Sequence, residues 1–205
     1  RVIAAFYSYG EEVETLRALR SQLSLRWFTD NKSLVLTAPA FKQGTSYVAA
    51  NLAVLFAQLG QSTLLIDANM RAPSQHDLFR ASNKIGLSDV LVKRAGLDVI
   101  QSVTNIENLS LLTSGTIPPN PLELLEYSRF EALLNTLEKT YEVIINDAPP
   151  MLVCSDAQAM AAVSKGALLV VNKNNAKIKD VDVIKQQLLI AGADPVGIVL
   201  NNAPS

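Results

Sequence analysis

The 205-residue chain is long enough for one large domain, and its 49% hydrophobic content can supply a sizeable core. Its 18 Lys and Arg residues nearly balance its 19 Asp and Glu residues without a long run of one sign, which argues against a nucleic-acid-binding protein. A lone Cys154 excludes an internal disulfide, and no apolar stretch approaches the roughly 18 residues of a membrane span, so we expect a soluble, cytosolic domain.

The first predicted elements are one amphipathic helix and a series of buried strands. Residues 11–28 carry apolar side chains at helical spacing with charges between them. Short apolar runs rich in β-branched residues or leucine then recur at residues 33–38, 62–67, 141–147, 166–172 and 195–201. Each run is apolar nearly throughout, which is typical of parallel strands covered by helices on both faces.

Helical stretches alternate with these runs and indicate the fold class. They lie at residues 47–59, 128–139, 155–163 and 177–191. Two further runs, residues 97–103 and 109–114, are predicted to be strands joined by a turn at residues 105–108. The β-α alternation predicts an α/β fold with a doubly wound, mainly parallel sheet. No internal repeat or linker interrupts it, so we expect a single domain over residues 1–205.

Polar residues follow three of the predicted strands, at the sheet edge where such folds bind nucleotides. The first strand leads into residues 37–46 and a helix, the position of a Walker A loop. Of the pattern G-x-x-x-x-G-K-S/T this loop keeps only Gly44 and Ser46, and taken alone it is more often an ordinary connection. The second strand ends at Asp67, and another ends at Asp147 like a Walker B strand. The prediction of a nucleotide site therefore depends on the three strand ends together.

Taken together, these motifs resemble the bacterial tyrosine kinases of polysaccharide co-polymerase systems, particularly the exopolysaccharide (EpsG-like) type. The resemblance covers nearly the whole chain. Gly44 and Ser46, with residues 49–53, match the family motif G-E-G-K/R-S followed by A-A-N-L-A. Asp67 and Arg71 match the second motif, D-x-D-x-R. The third motif, I-I-D-T-P-P, is matched by Ile144, Ile145, Asp147, Pro149 and Pro150.

The resemblance implies a P-loop NTPase-like cytoplasmic kinase domain that regulates exopolysaccharide chain length and export. It implies ATP or ADP as ligand together with Mg²⁺, and a membrane chain-length-determinant (polysaccharide co-polymerase) protein as partner. That partner would hold the domain at the inner face of the membrane. The implied catalytic residues are Asp67 and Asp147, the implied metal ligands are Ser46, Asp67 and Asp147, and the implied nucleotide-binding residues are Gly44, Thr45, Ser46, Tyr47 and Arg71.

The first helix carries a charged stripe with two interpretations. Glu14, Arg17 and Arg20 form an E-x-x-R-x-x-R pattern that, in these kinases, resembles the subunit contact of a ring-shaped oligomer. Residues three apart are neighbours on a helix, so the stripe is also compatible with a solvated face carrying one intrahelical ion pair. We expect a homo-oligomer through this stripe, with the solvated face as the alternative.

Four residues depart from the family motifs. Thr45 replaces the lysine or arginine that reaches the phosphates, and losing such a charged hydrogen bond weakens binding by roughly one to two decades. Gln43 replaces an acid, and Lys42 replaces a glycine while adding a charge from a different point of the loop. Asn69 replaces an acid of D-x-D-x-R and cannot take a proton. The departures predict weak or absent catalysis on a retained fold.

Three functions therefore remain open. The leading hypothesis is a regulatory pseudokinase with little turnover, and an active ATP-dependent tyrosine kinase is its enzymatic version. A MinD- or ParA-like positioning ATPase is the alternative. Proteins of that class carry K-G-G-x-G-K-S/T in the loop, and here Ala40 and Thr45 occupy both lysine positions.

Overall fold

A seven-stranded sheet organises the chain in the computed structural model, which describes residues 2–5, 10–125, 127–175 and 177–201. The strands lie in the order β3-β4-β2-β5-β1-β6-β7, and all neighbours pair in parallel except β3 and β4. The strands are β1 Ser33–Thr37, β2 Thr63–Asp67, β3 Gln101–Ser102, β4 Leu109–Leu112, β5 Val143–Asp147, β6 Gly166–Asn172 and β7 Asp194–Asn201.

Helices cover both faces of this sheet, so the predicted doubly wound α/β fold is confirmed. The described residues also form short 3₁₀ turns at Ile3–Ala5 and Leu97–Val99. No helix in the described part of the chain is both long and apolar enough to span a membrane. The helices are α1 Glu11–Arg26, α2 Thr45–Ala57, α3 Gln75–Phe79, α4 Leu87–Leu91, α5 Pro121–Leu124, α6 Tyr127–Leu137, α7 Asp156–Ser164 and α8 Ile178–Ile190.

The core is divided between the two faces of the sheet because successive side chains of a strand point in opposite directions. Leu34 and Leu36 of β1 join the cluster that contains α1 and α2, whereas Val35 between them joins the cluster of α6, α7 and α8. Helix α2 is buried along most of its length because α1 packs over it. The central strands β1, β2 and β5 are therefore fully buried, and their polar ends meet at one edge.

The predicted strand at residues 97–103 is wrong over its first half. Leu97–Val99 forms a 3₁₀ turn, and only Gln101–Ser102 pairs with β4. Val99 and Ile100 both pack against the same core cluster, which adjacent residues of a strand cannot do. The predicted strand at residues 109–114 is shorter than expected and ends at Leu112.

The first helix ends two residues earlier than predicted. The indole N–H of Trp27 donates to the Ser33 carbonyl at 2.9 Å, and the Phe28 ring meets the edge of Phe56 at a centroid distance of 5.0 Å. Both aromatic side chains therefore contact other parts of the fold at the point where the helix stops, and α1 ends at Arg26.

Candidate functional site

The loop at residues 38–44 joins β1 to α2 and keeps an unusual backbone shape. Lys42 has a φ of 63° and Gly44 a φ of 85°, so both lie in the left-handed region that favours glycine. Gly44 is the residue that precedes the first turn of α2. Lys42 occupies a position where the family motif has glycine, and this position thus still adopts a glycine-type conformation.

The loop is fixed from the side by the ends of β6 and β7. The Gln43 side-chain oxygen accepts a hydrogen bond from the Asn172 backbone N–H at 2.6 Å, and the Gln43 carbonyl accepts one from Asn201 Nδ2 at 2.9 Å. A Cβ atom on Gly44 would lie 2.0 Å from Asn201 Nδ2. A side chain at position 44 would therefore displace Asn201.

Two buried carboxylates lie side by side at the same edge of the sheet. Asp67 and Asp147 are register partners at the ends of β2 and β5, and both are 0% exposed. Asp67 Oδ2 accepts hydrogen bonds from the backbone N–H groups of Ser74 and Gln75, both at 2.9 Å. The Oδ1 atoms of both aspartates are buried without a hydrogen-bond partner among the described residues.

Burial raises the pKa of both aspartates. The pKa of Asp147 rises to about 7 because the carboxyl is buried and the Asp67 charge repels its ionised form, although the nearby Ser46 and Gln75 side chains lower it. The pKa of Asp67 rises to about 6 because of burial, which the backbone N–H of Gln75 partly offsets. A divalent cation would compensate both charges and satisfy both free oxygens.

The donor set fits Mg²⁺ held jointly with a phosphate. Mg²⁺ prefers oxygen ligands and is commonly bound through one or two carboxylates together with substrate phosphates. Within the described ranges, no group of three or more His, Cys, Asp or Glu side chains could hold a metal by itself. Asp67 and Asp147 therefore suit a cation that takes its remaining ligands from other groups, and the predicted role of Ser46 as one of them stays a prediction.

Gln75 connects the carboxylates to the loop helix. Its side-chain nitrogen donates to Asp147 Oδ2 at 2.7 Å and to the Ser46 carbonyl at 3.0 Å. Gln75 is fully buried at the start of α3. Gln75 could not be predicted from the sequence, because no motif distinguishes it and its partners lie 29 and 72 positions away.

A cavity of about 200 Å³ opens beside the loop. Of the residues implied to bind nucleotide, four line it: Gly44, Thr45, Ser46 and Tyr47. Asn69 and the exposed Lys42 also line it, and Asn69 is 7% exposed, with its side-chain oxygen accepting from the Ala72 N–H at 3.2 Å. The structure therefore brings the loop, the start of α2 and Asn69 to one small space.

Arg71, also implied to bind nucleotide, is engaged elsewhere. Its guanidinium makes two parallel hydrogen bonds to the buried Asp156, at 2.8 and 3.0 Å. It does not belong to the residues that line the loop cavity. The geometry gives Arg71 a structural role that ties the segment after β2 to α7, and its contact with nucleotide stays a prediction.

Helix α1, which carries the charged stripe, packs against α2, the helix that follows the loop. Glu14 pairs with Arg17, and Arg20 is half-buried with one nitrogen 3.4 Å from Ser21 Oγ. Elsewhere on the same helix, Glu12, which is not part of the stripe, accepts a hydrogen bond from the Tyr47 hydroxyl at 2.9 Å. The intrahelical ion pair of the alternative interpretation is thus present, and the oligomer contact stays a prediction.

A parallel sheet whose first loop and helix start face two acidic strand ends defines the P-loop NTPase class. Residues 42–188 match a family model described as an AAA domain. The chain is 36% identical over 192 residues to the putative tyrosine-protein kinase CapB of Staphylococcus aureus, covering 93% of this chain and 84% of that protein. The chain therefore belongs to the bacterial tyrosine-protein kinase family.

Solved structures agree with this assignment. The kinase domain of the Escherichia coli tyrosine kinase ETK superposes with a TM-score of 0.92 at 33% identity, covering 100% of this chain and 81% of that one. The septum site-determining protein MinD of Pyrococcus horikoshii, complexed with Mg-ADP, gives a TM-score of 0.71 at 23% identity, with 83% and 70% covered. The likeness to MinD shows a shared fold alone.

Proposed function

We propose that residues 1–205 form a single regulatory kinase-like domain that binds ATP or ADP with Mg²⁺ and transfers phosphate weakly or not at all. The observation that carries this proposal is the contrast within the site. The paired carboxylates Asp67 and Asp147 each keep one oxygen that has no partner among the residues that the structure describes, whereas Thr45 provides no cation at the start of α2. Such a site retains metal-assisted binding while losing a positive charge needed at the transferring phosphate.

Each retained group has a definite role in this proposal. The start of α2 at residues 44–47 orients the phosphates, because helix amino termini present N–H groups to anions. Asp67 and Asp147 hold the cation together with Ser46, and bound Mg²⁺ supplies charge neutralisation at the phosphates. Asn69 lines the cavity but cannot accept a proton, a role worth about 10²–10⁴-fold in rate.

The proposed biological setting is the control of exopolysaccharide chain length and export. The partner would be a membrane chain-length-determinant (polysaccharide co-polymerase) protein that keeps the domain cytoplasmic, at the inner face of the membrane. The family assignment supports this setting, because relatives such as CapB are described as bacterial tyrosine-protein kinases. The MinD- or ParA-like positioning ATPase has only the common fold in its favour.

The decisive test compares binding with turnover in the same protein. Calorimetric titration with MgADP and MgATP should detect nucleotide binding. A phosphotyrosine assay with the cytoplasmic segment of the membrane partner should show labelling far below about 1 s⁻¹, the low end of the range for kinases. Robust ATP-dependent labelling near that rate would show an active kinase. Complete absence of binding would contradict the proposed nucleotide site.

We also propose that the domain forms homo-oligomers through Glu14, Arg17 and Arg20. Reversing the charge of both arginines, Arg17→Glu with Arg20→Glu, should dissociate a concentration-dependent oligomer in light scattering with nucleotide present. Arg26→Glu is the matched control, because Arg26 is an exposed arginine of the same helix outside the stripe. An unmodified protein that remains monomeric at high concentration would argue against the contact.

A further inference from the structure

Gln75 contacts all three elements that build the candidate site. Its side-chain nitrogen bonds the Ser46 carbonyl in the first turn of α2 and Asp147 Oδ2 at the end of β5. Its backbone N–H bonds Asp67 Oδ2 at the end of β2. The described residues offer this fully buried amide no partner for its oxygen, Oε1. A buried polar side chain with this set of contacts couples the loop helix to both carboxylates.

These contacts decide which carboxylate oxygens remain available. One oxygen of each aspartate is occupied through Gln75, since Oδ2 of Asp147 meets its side chain and Oδ2 of Asp67 meets its backbone. The opposite Oδ1 atoms are buried and lack a partner in the described part of the chain. Leaving a buried acceptor unsatisfied is unfavourable, so the arrangement is expected to be completed by a ligand.

We propose that Gln75 is a positioning residue for the magnesium nucleotide, acting through Asp147 and Ser46. Its amide fixes the rotation of the Asp147 carboxyl, so that Oδ1 is presented to the cation, and holds the first turn of α2 at a set distance from β5. The inference rests on the proposed function, because it presumes that this site binds a magnesium nucleotide. Gln75 itself remains outside the contacts with the phosphates.

The test separates metal-assisted binding from binding in general. Gln75→Met keeps the length of the side chain and removes both its donor and its acceptor. ADP affinity is measured by calorimetry with Mg²⁺ and again with EDTA, and the ratio of the two affinities reports the magnesium-dependent gain. We expect Gln75→Met to lower this gain about tenfold, the effect of losing one charged hydrogen bond, and to change ADP affinity in EDTA less than about twofold.

A matched control and a second variant keep the result interpretable. Gln158→Met removes one side-chain hydrogen bond, to the Gln187 carbonyl, at a position away from the loop, and should leave the gain unchanged. Gln75→Asn keeps the amide but shortens its reach, so it should also lower the gain. Gln75→Asn serves as the test if circular dichroism shows that Gln75→Met is unfolded.

Each outcome decides between the proposals. Equal losses with Mg²⁺ and with EDTA would show that Gln75 only supports the fold, and an unchanged gain would show that it does not position the site. Either result overturns the role of Gln75 and leaves the proposed function intact. An unmodified protein whose ADP affinity does not respond to Mg²⁺ would overturn both.

Discussion

The loop at residues 38–44 and the acidic ends of β2 and β5 lie at the same edge of the sheet, yet they retain different properties. The loop keeps its backbone shape, with Lys42 and Gly44 in left-handed conformations, but has lost the cation at Thr45. The strand ends keep their chemistry in Asp67 and Asp147. The comparison teaches that contacts elsewhere in the fold maintain a loop's shape, whereas single side chains determine its chemistry.

The retained carboxylates are the more informative half of this comparison. Two adjacent buried acids repel each other and lose hydration, so they lower the stability of a protein unless something compensates them. A loop without its lysine does not lower the stability of the fold in this way, so the presence of such a loop says little about function. The pair Asp67 and Asp147 therefore gives the stronger argument for a ligand.

Repairing the loop should produce the largest effect. Thr45→Lys should raise ADP affinity roughly ten- to a hundredfold, because it restores a charged hydrogen bond to phosphate. Adding Asn69→Asp should raise tyrosine labelling by a further factor of up to about 10²–10⁴, since an acid can accept a proton. Calorimetry and a phosphotyrosine assay measure the two effects, which need not add.

The control for this repair is Thr45→Gln, which lengthens the side chain without adding charge. Comparable gains from glutamine and lysine would show that length rather than charge limits binding. Full kinase activity from Thr45→Lys alone would show that Asn69 is not a deficit. Either result would weaken the distinction between loop and strand ends.

Removing one acid should have the next largest effect. Asp147→Asn preserves shape and should abolish the magnesium-dependent gain in ADP affinity, a loss of roughly tenfold or more. Thermal stability at pH 7.5 should not fall, because burial already disfavours the ionised carboxyl. Calorimetry and thermal unfolding measure both quantities, with the exposed Asp98→Asn as control. A magnesium response that survives in Asp147→Asn would contradict the metal site.

The sheet and the position of the candidate site could be predicted from the sequence for a physical reason. Buried parallel strands must be apolar nearly throughout, so the end of each strand can be recognised in the sequence where polar residues begin, at Asp67 and at Asp147. Parallel strands also end at one edge, which places those acids together without further information. The contacts of Gln75 depend on how α3 is placed against the strand ends, and no local sequence pattern predicts that placement.

The short helices and distant pairings were unpredictable for similar reasons. Helices α3, α4 and α5 have four or five residues, too few to show a 3.6-residue period. The pairing of Arg71 with Asp156 joins positions 85 residues apart, so the family motif alone indicated nucleotide as the partner of Arg71.

The last prediction concerns pH. The pKa values of about 6 for Asp67 and about 7 for Asp147 exceed the ordinary 3.8 of an unfolded carboxyl. Between about pH 4 and 7 the folded state therefore binds more protons, and the free energy of unfolding contributed by this pair falls as pH rises. Each kcal/mol lost lowers the melting temperature by about 2–4 °C in a protein of this size.

Thermal unfolding of the metal-free protein at pH 5 and pH 8 measures this contribution. The decrease should be smaller in Asp147→Asn, which lacks one titrating acid, and Mg²⁺ should raise the melting temperature more at pH 8 than at pH 5. An identical pH dependence in the unmodified protein and Asp147→Asn would show that the pair does not govern the profile.

The contacts of Asn201 and Asn172 with Gln43 also affect how the domain can be re-engineered. A seven-residue cassette taken from an active kinase and grafted between β1 and α2 would import a loop without the two strand ends that shape it. Those strand ends lie 129 and 158 positions further along the chain. The transplantable unit is therefore discontinuous, and a functional graft has to carry positions 172 and 201 together with the loop.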